Sequence, residues 1–382
     1  MKIISVFHNK GGVGKTTLLY HTACSLAERG KRVLMIDLDS QSNLTLYGLS
    51  DKDLETLWKD EDGIINDGFP LGSNTLNHDP GNSLLKAPRT IHFLLKPVES
   101  GVDDYIEIPD PFELKENLFL IPGRITLSQF ENILADRWSM SADDNILSIR
   151  TISQIRTIAS RYAKKYNIDY VMLDVSPSLG LLNRVILTTS DAFFMPATPD
   201  LFSVYGVRNI GQSLRKWNSS IEQIKKLTGS NLLSLFPERP VEFLGYTLYN
   251  AKRRKDRELG LARAHRTYAQ DMPIEINEWI PNVNVSTANA DKIGETIGLI
   301  KDPSGWGDIP QGCGAIWYTH NTYPATAQKY KCPIWEIPDK DLDTDDKSTV
   351  FQNEERYRET KEAYNMFVND LLSRLSDRKP VV

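Results

Sequence analysis

Cysteine is scarce in this sequence, which contains only Cys24, Cys313 and Cys332 among its 382 residues. Three scattered cysteines are too few for a disulfide framework or a tetrahedral zinc site, which argues against both as sources of stability. We therefore expect free thiols and a reducing compartment, the cytoplasm. A bond between Cys313 and Cys332 is the alternative.

Long apolar runs and an excess of basic charge are also missing. No stretch approaches the roughly 18 consecutive apolar residues of a membrane span, and the first residues become polar too early for a secretory signal. Lys and Arg number 45 against 50 Asp and Glu, which disfavours a wholly basic surface but allows a local basic patch. With 40% hydrophobic and 25% charged residues, the composition is that of a globular protein with ample core.

Short apolar runs alternate with helical segments along much of the chain. We predict strands at 3–7, 33–36, 118–121, 170–174, 192–196 and 241–248, and helices at 16–29, 145–166, 204–227 and 353–376. Strands that alternate with helices in this way indicate crossovers packed on a parallel sheet. The sequence thus predicts an α/β fold with a doubly wound, mostly parallel sheet flanked by helices.

The segment 10–17, called the phosphate loop below, carries the strongest functional signal. It follows the first predicted strand and opens the first predicted helix, where a nucleotide loop must lie. Glycines let successive N–H groups point at phosphate oxygens, and the helix N-terminus adds partial positive charge. Lys15 would neutralise the β and γ phosphates, and the Thr16 hydroxyl would ligate Mg²⁺. The residues predicted to bind ATP are Gly11, Gly12, Val13, Gly14, Lys15, Thr16 and Thr17.

Lys10 indicates a particular class of phosphate loop, because an ordinary GxxxxGKT loop needs no lysine at that position. The segment resembles the deviant Walker A motif of the ParA/MinD family, the SIMIBI class of P-loop ATPases, and is most similar to the ParA/Soj-type partition ATPases. The resemblance implies that ATP closes a homodimer in which Lys10 reaches the partner's nucleotide, acting much as an arginine finger does. Lys10 and Lys15 are therefore the catalytic candidates of this loop.

Three later segments resemble further motifs of the same family. Residues 33–43 resemble its second motif, which implies that Asp39 orients the attacking water and that Asp37 lies near the Mg²⁺ shell. Residues 170–179 resemble its Walker B strand, so that Asp174 would bind Mg²⁺ through water. Residues 243–250 resemble its late strand, which makes Asn250 a candidate adenine contact. Serines replace the family's usual prolines at positions 40 and 176 and its usual glycine at position 42.

The resemblance covers about 1–47, 116–300 and 355–378. Because a sheet of this family needs about 250 residues as one domain, it implies a single ATPase domain over 1–382. Residues 48–115 and 301–350, which break the strand–helix alternation, would be insertions in it. We interpret the aromatic residues within 306–335 as the small core of the second insertion, with a docking or base-stacking surface as the alternative.

A concentrated basic patch follows the last predicted strand. Such a patch can bind a phosphate backbone without reading sequence, whereas the alternative is a solvated charged helix face. ParA proteins bind DNA in this way as ATP-bound dimers, which implies the same role here. The candidate DNA-binding residues are Lys252, Arg253, Arg254, Lys255, Arg257, Arg263 and Arg266.

The competing partner is a membrane, since MinD-like relatives end in an amphipathic helix with basic and bulky apolar residues. The corresponding apolar stripe here comprises Phe367, Leu371, Leu372 and Leu375. We interpret this stripe more simply as the buried face of a terminal helix packed on the sheet.

The resemblance as a whole implies a cytoplasmic molecular switch. ATP and Mg²⁺ would drive homodimer formation, the dimer would hold non-specific DNA in association with the nucleoid, and hydrolysis would release it. Turnover would stay slow until a ParB-like partner completes the site. Plasmid or chromosome partition, or cargo positioning, is the expected role. A MinD-like switch on a membrane or protein scaffold is the alternative.

Overall fold

The computed structural model describes residues 1–67, 85–141, 145–251, 263–280, 316–318 and 322–376. The strands found there are β1 Lys2–Val6, β2 Val33–Leu38, β3 Phe112–Lys115, β4 Leu118–Ile121, β5 Tyr170–Val175, β6 Ala192–Ala197, β7 Glu242–Ala251 and β8 Ile316–Tyr318. The α-helices in the same ranges are α1 Lys15–Glu28, α2 Asp51–Asp67, α3 Ile91–Glu99, α4 Ser128–Ser139, α5 Ile146–Tyr166, α6 Leu181–Thr189, α7 Leu201–Leu227, α8 Ser230–Leu233, α9 Arg263–Trp279, α10 Tyr323–Lys329, α11 Thr344–Gln352 and α12 Glu354–Ser376.

The chain divides into two compact units, each assembled from separate stretches of sequence. The first unit contains residues 1–5, 27–191 and 216–241, and the second contains 6–26, 192–215 and 242–382. The division passes through β1, α1 and α7. The prediction of one domain with two insertions stays a prediction.

The first unit contains the strand order β3-β4-β2-β5-β1. Strand β2 runs parallel to both β4 and β5, whereas β3 is antiparallel to β4. Every residue of β2 is buried, as expected for the continuous apolar run of a central parallel strand. In the register between β2 and β5, Asp37 lies opposite Asp174, so the two carboxylates share one edge of the sheet.

Helix α5 shows how the local sequence sets the bounds of an element in this unit. The Asn145 side chain caps its N-terminus by accepting a hydrogen bond from the Ser148 amide at 3.1 Å,. Asn167 ends it in the left-handed conformation, with φ of 52°, which asparagine tolerates better than most residues. Between them Ile149, Ile152 and the following isoleucines are buried, so this face packs into the core.

The second unit contains the end of β1 followed by β6, β7 and β8. The backbone amide of Phe7, just after β1, donates to the carbonyl of Phe194 in β6 at 3.1 Å. Strand β7 is parallel to both β6 and β8. Helix α12 packs on this sheet through Phe367, whose ring meets that of Phe194 edge-on at 5.5 Å between centroids.

The predicted fold class is confirmed: the chain forms a doubly wound, mostly parallel α/β sheet flanked by helices. The terminal stripe is largely buried, with Phe367 and Leu371 inaccessible to solvent, so the packed-helix interpretation is the correct one. No helix in the described ranges is both long and apolar enough to cross a membrane. Cys24 and Cys332 are buried and form no disulfide within the described residues, and Cys313 lies outside those residues.

Candidate nucleotide site

The phosphate loop joins β1 to α1 with two glycines in the left-handed conformation. Gly12 has φ of 72° and Gly14 has φ of 88°, values that other residues adopt only with strain. At Gly14 there is also no room for a side chain, since a Cβ atom would lie 2.3 Å from the ring of Tyr249. The carbonyl of Gly14 accepts the first bond of α1, from the Leu18 amide at 2.9 Å. The loop is therefore fixed both by backbone conformation and by packing.

The two lysines of the loop have different surroundings. Lys15 is 7% exposed and its Nζ donates to the carbonyl of Lys10 at 3.3 Å, so its side chain folds back over the loop. The Lys10 ammonium instead forms an ion pair with Asp200, the residue before α7. Although burial works to raise it, the hydrogen bond from Lys10 holds the pKa of the Asp200 carboxyl below its usual range. Lys10 is thus held by its own chain.

His8 precedes the loop and stays neutral. It is completely buried, and its Nδ1 accepts a hydrogen bond from the Lys10 amide at 2.9 Å. Burial, reinforced by the nearby charges of Lys15 and Lys10, lowers the pKa of His8 to about 3. The imidazole therefore braces the loop as an acceptor without adding a third positive charge.

Asp37, at the end of β2 in the first unit, has both carboxylate oxygens engaged. One accepts from the amide and hydroxyl of Thr45 at 2.8 and 2.7 Å, and the other accepts from the Asp39 amide at 3.2 Å. The Thr45 hydroxyl also accepts from the Gly123 amide at 2.8 Å. Complete burial raises the pKa of Asp37 to about 7 despite these bonds. Asp37 braces the turn that follows β2.

Asp39 lies at the beginning of that turn and is 7% exposed. Its carboxylate accepts from the Gln41 amide at 3.0 Å, and its carbonyl accepts from the Ser42 amide at 2.8 Å. Ser42 has φ of 52°, a left-handed conformation that accounts physically for the glycine usual at this point in the family. The replacement keeps the turn, and the carboxylate of Asp39 stays in place.

Asp174, on β5, is also completely buried. The loop that follows β5 is closed by Asn183 of α6, whose amide donates to the carbonyls of Ser176 and Ser178, both at 2.8 Å. Asn183 thus closes this loop with serine at position 176, and Asp174 lies near the end of its strand, where open α/β sheets bind their ligands,.

Several predicted site residues lie beyond the described part of the chain. Lys252, Arg253, Arg254, Lys255 and Arg257 fall outside the described residues altogether. Asn250 belongs to β7, and Arg263 and Arg266 belong to α9, but the positions of their side chains lie outside the description as well. The adenine and DNA contacts stay predictions.

Three further residues, none of them predicted from the sequence, contact predicted site residues of their own unit. Asp200 pairs with Lys10, Thr45 holds Asp37, and the Tyr249 ring lies against Gly14. For Asp200 the sequence does offer one signal: an aspartate immediately before a helix is a common N-cap. Its carboxylate does accept from the Ser203 amide at 2.9 Å. The contacts of Thr45 and Tyr249 depend on packing between elements.

Comparison with protein families and curated proteins gives a consistent match over the N-terminal part of the chain. The AAA domain family AAA_31 matches residues 1–227. Soj, a sporulation initiation inhibitor protein of Bacillus subtilis, is 29% identical over 216 residues, which are 56% of this chain and 65% of Soj. An uncharacterised protein of Methanocaldococcus jannaschii is 29% identical over 54% of this chain and 63% of its own length. The chain thus spans slightly less than two thirds of these relatives.

Solved structures extend the likeness to the fold of the whole chain. A Corynebacterium diphtheriae protein superposes with a TM-score of 0.57 and 27% identity, covering 77% of this chain and 95% of that one. A Cyanothece McdA variant in complex with ATP superposes with a TM-score of 0.55 and 16% identity, covering 100% of this chain and 99% of McdA. The pNOB8 ParA bound to nonspecific DNA superposes with a TM-score of 0.51 and 16% identity, covering 99% of each chain. The last two comparisons show similarity of fold alone.

Proposed function

Because the match to AAA_31 covers more than half of the chain and its relatives are Soj and ParA family proteins, this chain belongs to the ParA/MinD-type P-loop ATPases, and we propose that it is an ATP-dependent dimerising switch. It hydrolyses ATP slowly, binds DNA without sequence preference, and acts in plasmid or chromosome partition or in cargo positioning. The observation that supports this most is the pair of lysines in one loop. Lys15 folds over the loop, whereas the ammonium of Lys10 lies away from it on Asp200.

The phosphate loop has the groups needed to hold a nucleotide triphosphate. Its backbone N–H groups and the N-terminus of α1 attract phosphate oxygens, and Lys15 supplies a nearly buried positive charge,. Neutral His8 keeps the loop from accumulating a further cation. We therefore expect Lys15→Ala to abolish nucleotide binding.

The donor set fits Mg²⁺, a hard cation that prefers oxygen ligands and keeps several waters. The described residues contain no group of three or more acidic, histidine or cysteine side chains that could enclose a metal ion. That agrees with a cation held mainly by phosphates, water and a hydroxyl. Thr16 would hold it directly and Asp174 through water, while the engaged oxygens of Asp37 favour a bracing role. Bound Mg²⁺ would neutralise charge on the β and γ phosphates.

Hydrolysis needs a group that positions the attacking water. Asp39 is the candidate, since its carboxylate is held at the strand end by the Gln41 amide. We expect Asp39→Ala to bind ATP and to accumulate as an ATP-bound dimer, because chemistry stops while the phosphate contacts remain. Hydrolysis at the wild-type rate would show that Asp39 does not orient the water.

Dimerisation would use the surface beside Lys10. To reach a partner's nucleotide, Lys10 must leave Asp200, and α7 begins at the next residue. The first turns of α7 expose three large side chains, with Leu201, Phe202 and Tyr205 respectively 45%, 74% and 53% accessible. A cluster of exposed large apolar groups at one place often marks an interface, and a second copy of the chain would cover it.

The deciding experiment compares binding of the purified chain to plasmid DNA and to anionic liposomes, with ATP, ADP or no nucleotide. We expect retention on DNA with ATP only, falling as salt is raised, and no binding to liposomes. Replacement of Arg253, Arg254 and Arg257 by Ala should weaken DNA binding and flatten its salt dependence. Binding to liposomes in place of DNA would favour the membrane switch instead.

A further inference from the structure

Buried aromatic side chains connect the phosphate loop and α1 to the C-terminal part of the second unit. We propose that His21 and Tyr249 are positioning residues for the phosphate loop, through which α12 and the segment Ile334–Trp335 control nucleotide affinity. This inference rests on the proposed nucleotide binding and assigns its regulation to a part of the chain far away in sequence. Two separate lines of contacts carry it.

The first line runs from Gly14 through Tyr249 to α12. The Tyr249 ring occupies the space that a side chain at position 14 would need, 2.3 Å from the place of a Cβ atom. The Tyr249 hydroxyl lies 3.2 Å from that of Tyr364 in α12. Burial raises the pKa of Tyr249 to about 12, so this hydroxyl keeps its proton at neutral pH. A shift of α12 would therefore move the ring that supports Gly14.

The second line runs from Thr17 through His21 to Ile334. The Nε2 atom of His21 accepts a hydrogen bond from the Ile334 amide at 3.1 Å. Because Nε2 is the acceptor, the ring proton of the neutral imidazole is on Nδ1, which donates to the carbonyl of Thr17 at 2.7 Å,. His21 and Ile334 are both completely buried. The tautomer is thus fixed by the protein, and the histidine joins the last residue of the loop to the backbone at Ile334.

The two lines meet at Tyr364. Its ring stacks on His21 at 5.1 Å between centroids with an interplanar angle of 23°. Trp335 lies 5.6 Å from each of these rings and is 3% exposed. Offset aromatic pairs of this kind resist sliding, because they combine large buried area with a preferred orientation. The loop is therefore supported at Gly14 and at Thr17 by one connected cluster, which gives the end of the second predicted insertion a function.

The test uses variants that remove single hydroxyl groups. Tyr364→Phe and Tyr249→Phe each keep the ring and lose one partner of the 3.2 Å contact. Tyr357→Phe is the matched control, because Tyr357 is a buried tyrosine of the same helix whose ring stacks on Tyr323, outside this cluster. Affinity of the full chain for ADP and ATP with Mg²⁺ is measured by equilibrium titration, and thermal unfolding is measured without nucleotide.

We expect Tyr249→Phe and Tyr364→Phe to raise the Kd for ADP by about 3- to 10-fold, the range of one lost hydrogen bond. The double variant should be no worse than either single variant, because the same contact is lost in each. Tyr357→Phe should leave the Kd for ADP unchanged, even if it lowers the midpoint of thermal unfolding as much as Tyr249→Phe or Tyr364→Phe does. His21→Leu should weaken binding further, and His21→Asn, which restores a donor near Thr17, should recover part of the loss.

The outcomes separate this inference from the proposed function. Absence of ADP and ATP binding by the unaltered chain would overturn the proposed function itself. Binding by the unaltered chain, with an equal Kd in both tyrosine variants, would overturn only the positioning role. An increase in Kd for Tyr357→Phe as large as for Tyr364→Phe would also overturn it, since the effect would then follow general loss of packing in α12.

Discussion

At the scale of single residues, Gly14 is the position where the loop tolerates least change. Its φ of 88° and the Tyr249 ring both exclude a side chain. We expect Gly14→Ala to weaken ATP binding by at least about 10-fold, because either the loop or the ring must move. Gly30→Ala is the control: Gly30 has φ of 74° but nothing within 4 Å of an added Cβ. It should lower stability by about 1 kcal/mol and leave the Kd unchanged.

His8 gives a second prediction at this scale, on the dependence of stability on pH. Its folded pKa of about 3 lies below the ordinary value of 6.5. Below pH 6.5 the unfolded chain therefore takes up a proton that the folded chain does not, so stability is lost as pH falls. His8→Asn keeps an acceptor for the Lys10 amide and removes this titration. Denaturant unfolding at pH 7.5 and 5 should show a smaller acid loss in the variant, by roughly 1 kcal/mol per pH unit.

The sequence predicted the loop lysines and the acidic residues because each belongs to a local motif at a strand end. It did not predict what holds them. Thr45 reaches Asp37 across a turn of eight residues, and Asp200 is 190 positions from Lys10. Contacts of this kind depend on how the elements pack together, which residue spacing does not encode. Ser42 is different: the family usually has glycine at this position, and the φ of 52° found there explains physically why glycine is usual,.

At the scale of elements, helix α2 is anchored to the first unit by a buried carboxylate. Glu61 is inaccessible to solvent and accepts hydrogen bonds from the Thr90 amide and hydroxyl at 2.8 and 2.6 Å. Arg124 donates to Glu61 at 3.4 Å and to the Trp58 carbonyl at 2.8 Å. This network joins α2 to the start of α3 and to the loop after β4.

We expect Arg124→Ala to lower the free energy of unfolding by about 2 kcal/mol, because it removes one of the two arginine charges that favour the buried Glu61 carboxylate and leaves only that of Arg89,. Burial already raises the pKa of Glu61, so the deficit should shrink as pH falls and this group is protonated. Adding Glu61→Gln to Arg124→Ala should recover part of the loss, since the amide keeps the position without the charge. Chemical denaturation at pH 7.5 and 5 measures both effects, and a deficit that grows in acid would contradict the assignment.

Most strands of the parallel sheet and its longer helices could be predicted within a few residues, because the strands are continuous apolar runs and the helices have regularly spaced apolar residues,. The shorter helices α4 and α6 were not predicted. The first predicted insertion was harder. Residues 90–95 are a short apolar island, which periodicity alone cannot assign to a strand or a helix; the structure makes them the start of α3, capped by Thr90. Helix α2 is also hard to predict from the sequence, because its buried residues, such as Leu54 and Leu57, are separated by many acidic residues.

At the scale of the whole molecule, the proposed switch requires a second copy of the chain, and α7 offers the surface to test it. Phe202 is 74% exposed on the first turn of this helix, two residues after the partner of Lys10. Phe351, in α11, is 64% exposed and serves as a matched control. Both residues lie in the second unit, and both can be changed to serine with little effect on the folded monomer because neither is buried.

In the Asp39→Ala background, where ATP is retained, Phe202→Ser should weaken the ATP-dependent dimer by about 10- to 100-fold, the range expected for one phenylalanine removed from a buried contact. Sedimentation velocity over a range of concentrations, with ATP and with ADP, measures the dimer. Phe351→Ser should dimerise as the parent does. At protein concentrations too low for dimerisation, both variants should bind ATP with the Kd of the parent. Equal dimerisation of the two variants would place the interface elsewhere. If Phe202→Ser alone loses the dimer and still binds ATP, then α7 contributes to dimerisation and not to nucleotide binding. The Lys10–Asp200 pair cannot account for the difference, because it is unaltered in both variants.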